Sequence, residues 1–309
     1  MKVLVTGASG RIGRALMRRL SRDHAVQGLD RVPSSTAHWV GDLADAALLQ
    51  RALAGVDAVV HCAALHAPQV GQVPDAEFER VNVQATEALA RAACAAGVGH
   101  LVYTSTTALY GAASTPVHAA GWVDEDTVPQ PRTVYHRSKL AAEALLARWA
   151  DAGAFGLTVL RMGRCFAEPA PAMAVARLHR GIDARDVAEA HALALAQAQP
   201  GTRTYLLSGA TPFQPADAVA LKTDAAALIR QRVPELAAAF AARGWALPAG
   251  IDRVYDASRA QRALGWQPRH GWAEVLRQLD DESPEVLPVG FPVAGGTAAE
   301  AVPMKDPCL

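Results

Sequence analysis

Short apolar runs alternate along this chain with longer stretches in which apolar side chains recur every three or four positions. The runs at 2–6, 25–29, 38–40, 57–62, 100–104, 157–162 and 203–207 read as buried strands. The stretches at 11–22, 45–54, 76–96, 134–151 and 184–198 read as amphipathic helices. Strand and helix alternate, which predicts an α/β fold: a doubly wound parallel sheet covered by helices on both faces. The texture changes after residue 210. Helical runs near 215–242 lead into Ile251-Asp-Arg-Val-Tyr255 and Leu264-Gly-Trp-Gln-Pro268. Residues 1–210 are therefore expected to form one domain and 211–282 a small lobe. Segment 157–186 is expected to line part of the substrate site. The Pro-, Gly- and Ala-rich residues 283–309 are expected to be a loosely held tail.

In such sheets ligands sit beyond the carboxyl ends of the strands, so the residues that follow each strand carry the chemistry. The first strand runs into Thr6-Gly7-Ala-Ser9-Gly10-Arg11-Ile12-Gly13. A glycine turn between strand and helix brings backbone close to a pyrophosphate, and the helix N-terminus offers it N–H groups and partial positive charge. The spacing is G-x-x-G-x-x-G, weak by itself, but the second strand ends in Asp30. A carboxylate ~20 residues past the glycines grips a ribose hydroxyl. It also repels a 2′-phosphate, so NAD is expected over NADP, with the neighbouring Arg31 as the feature that would favour NADP. Gly41-Asp42-Leu43 follows the third strand, where Asp42 either meets the adenine or caps a helix.

Tyr135-His-Arg-Ser-Lys139 opens a helix, and residues four apart share a face. A tyrosine with its ordinary pKa of ~10 is a poor base at neutral pH. A nearby ammonium lowers that value and lets the pair move a proton at a hydroxyl. The strand before it ends in Thr104-Ser105-Thr106-Thr107, a hydroxyl cluster at the ligand edge. Such clusters also cap strand ends in ordinary structures.

Charge and composition narrow the classes. Lys plus Arg and Asp plus Glu each number 30, so no global charge points to nucleic acid or membrane. No apolar run reaches the ~18 residues that span a bilayer. The chain opens directly into an expected strand, so no signal peptide is expected. The four cysteines have no metal-ligand or redox spacing, so no metal is expected and a reducing cytoplasm fits.

Together these residues resemble the extended short-chain dehydrogenases/reductases, the NAD-dependent epimerase/dehydratase family. The resemblance covers residues 1 to about 280. It rests on the glycine turn, Asp30, Gly41-Asp42-Leu43, His61-Cys-Ala63-Ala64, Asn82, Thr104 to Gly111, Tyr135-x-x-x-Lys139, Arg161, Asp186-Val-Ala-Glu-Ala190 and Leu264-Gly-Trp266. It implies a Rossmann-type fold and gives Tyr135 the role of general acid/base with Lys139 as its electrostatic partner. Lys139 would also hold the nicotinamide ribose. The family's Ser/Thr falls on Thr106, with Ser105 as the neighbouring choice. Gly7, Ser9, Gly10, Arg11, Ile12, Gly13, Asp30, Arg31, Asp42, Leu43, Ala63, Ala64 and Asn82 would bind or support the cofactor, together with Tyr135 and Lys139. His61, within a buried strand, is read as a packed core histidine.

Departures from the family pattern bear on the substrate. Between Arg161 and Asp186 most nucleotide-sugar members carry a loop of several dozen residues, and this chain is far shorter there. The segment Arg161-x-Gly163-x-Cys165-x-x-Glu168-Pro169 is similar to that of uronate dehydrogenases, although those enzymes carry Asn-His where this chain has Thr107-Ala108. Arg177, His179 and Arg180 form a basic cluster suited to a carboxylate or phosphate, or to a solvated turn. His66, Ser105, Thr107, Arg164, Arg177 and Arg180 are the substrate candidates, and Trp122 could also face the pocket. The expected function is NAD(P)-dependent oxidation or reduction of a carbinol in a compact, sugar-like or sugar-acid-like molecule. The alternatives are a nucleotide-sugar 4-epimerase with tightly bound NAD and a non-catalytic NAD(P)-binding sensor. A homodimer is expected through the helices at 76–96 and 134–151, with alanines 88, 90, 92, 93, 141, 142 and 144 allowing close approach.

Overall fold

The structure, a computed structural model, describes residues 1–287. Seven strands form one parallel sheet: β1 (Lys2–Thr6), β2 (Ala25–Asp30), β3 (Trp39–Val40), β4 (Ala58–His61), β5 (His100–Thr106), β7 (Gly156–Met162) and β8 (Thr202–Leu207). Their order is β3-β2-β1-β4-β5-β7-β8. From β1 the chain winds outward through β2 and β3, then returns to pair β4 on the other side of β1. This reversal opens a crevice at the carboxyl ends of β1 and β4, where doubly wound sheets bind ligands.

Both faces are covered, as the near-continuous apolar strands require. One layer packs Leu16, Met17 and Leu20 of the helix Arg11–Leu20 against Val187, Ala190 and Leu195 of the helix Ala184–Ala196. The other packs the helices Ala46–Ala52, Ala85–Ala95 and Val134–Asp151 on Leu4, Val59, Leu101 and Val159. Helix ends follow capping chemistry: Asp45 accepts from Ala47 and Leu48, Thr133 from His136, and Asp183 from Arg185, which satisfies N–H groups that a helix leaves open.

The expected helix over 76–96 is interrupted. Asp75–Phe78 is α-helical, Glu79–Gln84 is a π segment, and regular helix resumes at Ala85. The inserted wide turn aims Asn82 inward, a use of π turns common at functional sites. A separate apolar cluster gathers Phe213, Leu221, Ile229, Phe240 and Val254 with Met173 and Leu178. Within it β6 (Gly121–Val123) pairs in parallel with β9 (Arg253–Tyr255), a small sheet that the short apolar runs did not announce. The Ala-rich bridge after Pro169 is a helix, Ala170–Ala176.

Leu264-Gly-Trp266 is a joint. Gly265 closes the helix Ser258–Leu264 in the left-handed conformation, and the fully buried Trp266 donates Nε1 to the Asp186 carbonyl at 2.9 Å. Residues 283–287 correct the expectation of a loose tail. Val286 is buried, Leu287 N donates to Glu168 O at 3.0 Å, and Glu285 pairs with Arg11 at 2.6 Å. The rest of the expected tail, 288–309, lies outside the described residues.

Candidate active site

At the end of β1, Gly7 holds φ +71°, and a Cβ there would lie 2.7 Å from Ala63 N. A Cβ on Gly13 would lie 1.9 Å from Gly7 O. Both glycines are thus required by close backbone contact, as a pyrophosphate-binding turn demands. Gly10 occupies the N-cap position without a side chain to block the helix end, so the first N–H groups of the helix face outward to a ligand.

Asp30, at the end of β2, turns one carboxylate oxygen to Ser9 N and the other to Val32 N, both at 2.9 Å. Each oxygen keeps lone-pair capacity for a ribose hydroxyl. Ser9 itself contributes its backbone to this link. Its hydroxyl donates to Val32 O at 2.6 Å and meets Ser34, so the side chain expected to bind cofactor braces the turn instead. Asp42 accepts from Ala44 N and pairs with Arg80 at 3.0 Å, and these contacts hold its carboxyl below the usual range. The helix cap is supplied by Asp45 rather than Asp42.

Asn82 is buried. It accepts from Leu65 N at 2.7 Å and donates to Leu65 O and Ser138 Oγ at 2.9 Å. It therefore ties the loop after β4 to the helix Val134–Asp151. His61 is fully buried between Thr6 and Thr86 hydroxyls, and burial pushes its pKa down to about 3, as suits a core histidine.

Lys139 is buried on the helix face that begins at Tyr135. Its Nζ donates to Thr104 O at 2.7 Å and sits 4.0 Å from the Tyr103 ring centroid. Desolvation lowers its pKa to about 8, against the opposing pull of Cys62 and Glu143. Thr106 accepts from Ala108 N at 3.1 Å. Ser105 is different: its hydroxyl donates to Glu143 at 2.5 Å in the core. That bond engages its hydroxyl, which favours Thr106 over it although both residues line the same cavity.

One cavity of about 360 Å³ brings these groups together, within the range of small-molecule sites. It is lined by Gly7, Gly10, Arg11, Ile12 and Gly13, by Asp30, Arg31, Asp42 and Leu43, by Ala63 and Ala64, and by Ser105, Thr106, Thr107, Tyr135 and Lys139. His66, Arg164 and Arg180 line it too, with Phe166, Arg253 and Tyr255, which the sequence reading did not single out. Phe166 stacks on His66, with centroids 5.9 Å apart, and lies under the Arg164 guanidinium at 5.2 Å. Arg164 is bidentate on Glu168. Arg177 is the exception among the basic candidates. It is buried against Asp183 at 3.1 Å and does not line the cavity, so its charge serves the interior. His179 likewise is buried, bonded to Arg253 O. Trp122 packs against the apolar cluster of Phe213, Leu221 and Phe240 and donates to Asp256. Arg253 and Tyr255 reach the cavity through β9.

Residues 3–180 match the family model described as NAD dependent epimerase/dehydratase family. The chain belongs to that family. Over 171 residues it is 33% identical to an N-acetyl-alpha-D-glucosaminyl-diphospho-ditrans,octacis-undecaprenol 4-epimerase of Escherichia coli O157:H7, covering 54% of this chain and 49% of the relative. Over 136 residues it is 40% identical to a 2-alkyl-3-oxoalkanoate reductase of Stenotrophomonas maltophilia, covering 42% and 39%. The matched stretches thus span about half or less of these relatives. Among solved structures, MoeE5 in complex with UDP-glucuronic acid and NAD superposes with a TM-score of 0.65 at 25% identity, covering 90% of this chain and 97% of that one. The epimerase/dehydratase family is a family of enzymes, and this membership agrees with the seven-stranded sheet and its switch point.

Proposed function

We propose that this member of the epimerase/dehydratase family is an NAD-dependent oxidoreductase acting on a carbinol of a compact, sugar-like or sugar-acid-like substrate. The observation that supports it most is that the glycine cradle and the Thr106, Tyr135 and Lys139 group line one cavity. The cradle fits the cofactor, since Cβ atoms on Gly7 or Gly13 would occupy backbone contact distance. Gly7 to Gly13 would hold the pyrophosphate and Asp30 the adenosine ribose, which favours NAD over NADP. When bound, NAD supplies the hydride acceptor beside Tyr135 and Lys139.

The chain's own groups do the proton chemistry. Thr106 orients the substrate hydroxyl. Tyr135, held as the phenolate by the Lys139 ammonium, takes the proton of that hydroxyl and becomes the neutral phenol. Arg180 and Arg253 on the same cavity suit a carboxylate or phosphate on the substrate. The connection from Arg161 to Asp183 is short and partly filled by the Arg164–Glu168 pair and the helix Ala170–Ala176, which favours a compact molecule.

A second reading, 4-epimerisation of a nucleotide sugar with retained NAD, is favoured by the epimerase relative. Incubation with NAD and a panel of sugars, sugar acids and small secondary alcohols separates the two. Net NADH formation supports the oxidoreductase, whereas isomer exchange without net NADH supports the epimerase and overturns the first reading.

We also propose a cytoplasmic homodimer. Ala141 and Ala144 are exposed on the helix Val134–Asp151, whereas Ala90, Ala93 and Ala142 are buried within the chain's own core. No helix among the described residues is long and apolar enough to cross a membrane. Light scattering after size exclusion tests the dimer: a mass of two chains is expected, and a monomer rejects it.

A further inference from the structure

Behind the cavity wall lies a buried ionic cluster with no part in the proton transfer outlined above. Glu143 follows Tyr135 and Lys139 at successive four-residue steps, so all three occupy one helix face. Arg161, at the end of β7, grips Glu143 through Nε at 3.1 Å and Nη2 at 2.7 Å. The Ser105 hydroxyl donates to Glu143 Oε1 at 2.5 Å, and Arg161 Nη1 donates to the Tyr110 hydroxyl at 3.1 Å. Every member is buried. Such a pair gains little stability over an apolar core of the same shape, because desolvation offsets the attraction. Its placement therefore calls for another account.

Ser105 stands between Thr104, whose carbonyl receives the Lys139 ammonium, and Thr106. Holding Ser105 sets the register of both neighbours against the helix Val134–Asp151. We propose that Glu143 is a positioning residue of this site: clamped by Arg161, it fixes the end of β5 through Ser105 and places a buried negative charge in line with Lys139. This rests on the catalytic reading of Tyr135 and Lys139 given above.

The groups around the Lys139 ammonium can be named from each packed element. Tyr135 and Glu143 lie on its own helix. The Tyr103 ring and Thr104 carbonyl come from β5. Cys62 follows β4, and the field of the ammonium reaches His61 and His66. Cys62, with its thiol pushed up to about 11 by burial, is neutral at working pH. Glu143 thus supplies the standing negative charge in this set. Arg161 partly screens it.

The test is an NMR titration of the lysines in the full chain without cofactor. The sequence has four, Lys2, Lys139, Lys222 and Lys305, so K139R assigns the resonance. In Glu143→Gln the Lys139 midpoint is expected to fall by roughly one pH unit, the size of one nearby charge. Glu143→Gln leaves Arg161 buried without its counter-ion, so the double variant E143Q/R161M, which removes both charges, is measured beside it. In the double variant the midpoint is expected to fall by less, because the Arg161 charge that opposes Glu143 is gone too. Tyr110→Phe, which leaves Glu143 charged, is expected to titrate like the wild type. An unchanged Lys139 midpoint in the folded double variant would overturn the proposal and leave Glu143 a packing group. The readout needs no substrate, so it stands apart from the catalytic reading, which fails separately if Tyr135→Phe retains turnover.

Discussion

Asp30 shows how one side chain serves two ends. Its carboxylate ties Ser9 N to Val32 N, which closes the glycine turn over the β2 end, and in the proposed cofactor site it would oppose a 2′-phosphate. Asp30→Asn keeps the size and loses the charge. The ratio of NADP to NAD dissociation constants, measured by titration calorimetry, is expected to fall at least about tenfold, near 1.4 kcal/mol. An unchanged ratio would show that Arg31 or the fold around it sets the preference. Thr106 and Ser105 make the complementary point. Adjacent strand residues face opposite sides, and the hydroxyl of Ser105 is spent on Glu143.

At the scale of elements, the strand–turn–helix at residues 2–20 depends on contact distance more than on composition. Gly13→Ala places a methyl 1.9 Å from Gly7 O, a backbone atom that cannot swing aside. The expected result is loss of NAD affinity and about 1–3 kcal/mol of stability by overpacking, read by calorimetry and urea denaturation; unaltered binding would show that the turn relaxes. The glycine turn and Asp30 were legible in the sequence because each follows a short apolar strand, and Tyr135 and Lys139 because they stand four apart at the opening of a helix. Other features depended on tertiary contacts. The π turn at Glu79–Gln84 reads as helix until Asn82 is seen holding Leu65. The β6–β9 pair joins residues more than a hundred positions apart, and it delivers Arg253 to the cavity. Arg177 and Arg180 stand three apart in one basic run, and packing alone sends the first to Asp183 and the second to the cavity. Glu143 passed unnoticed in the sequence although it stands four residues after Lys139, because its partner Arg161 comes from β7.

For the whole molecule, the buried histidines set the response to acid. Burial lowers His61 to about 3 and His191 to about 4. Their folded values lie below the unfolded ~6.5, so below that pH the unfolded chain binds more protons than the folded one. Stability is therefore full above about pH 6.5 and is lost as pH falls toward the folded values. Between pH 6.5 and 5 each histidine removes up to about 2 kcal/mol. Urea denaturation at pH 7 and pH 5 is expected to show that decline, and equal stabilities would contradict the burial of these rings as neutral groups.

The fold, the switch-point crevice and the proton-transfer group converge on a single claim, that a bound NAD is a reactant and Tyr135 its acid/base partner. The most direct measurement compares Tyr135→Phe with the wild type, using the panel substrate that gives the fastest NADH change and NAD affinity as the control for folding. The account predicts wild-type-like NAD binding with turnover lowered by about 10²–10⁴-fold, the usual worth of a general acid/base. Unreduced turnover in a variant that binds NAD normally would contradict it.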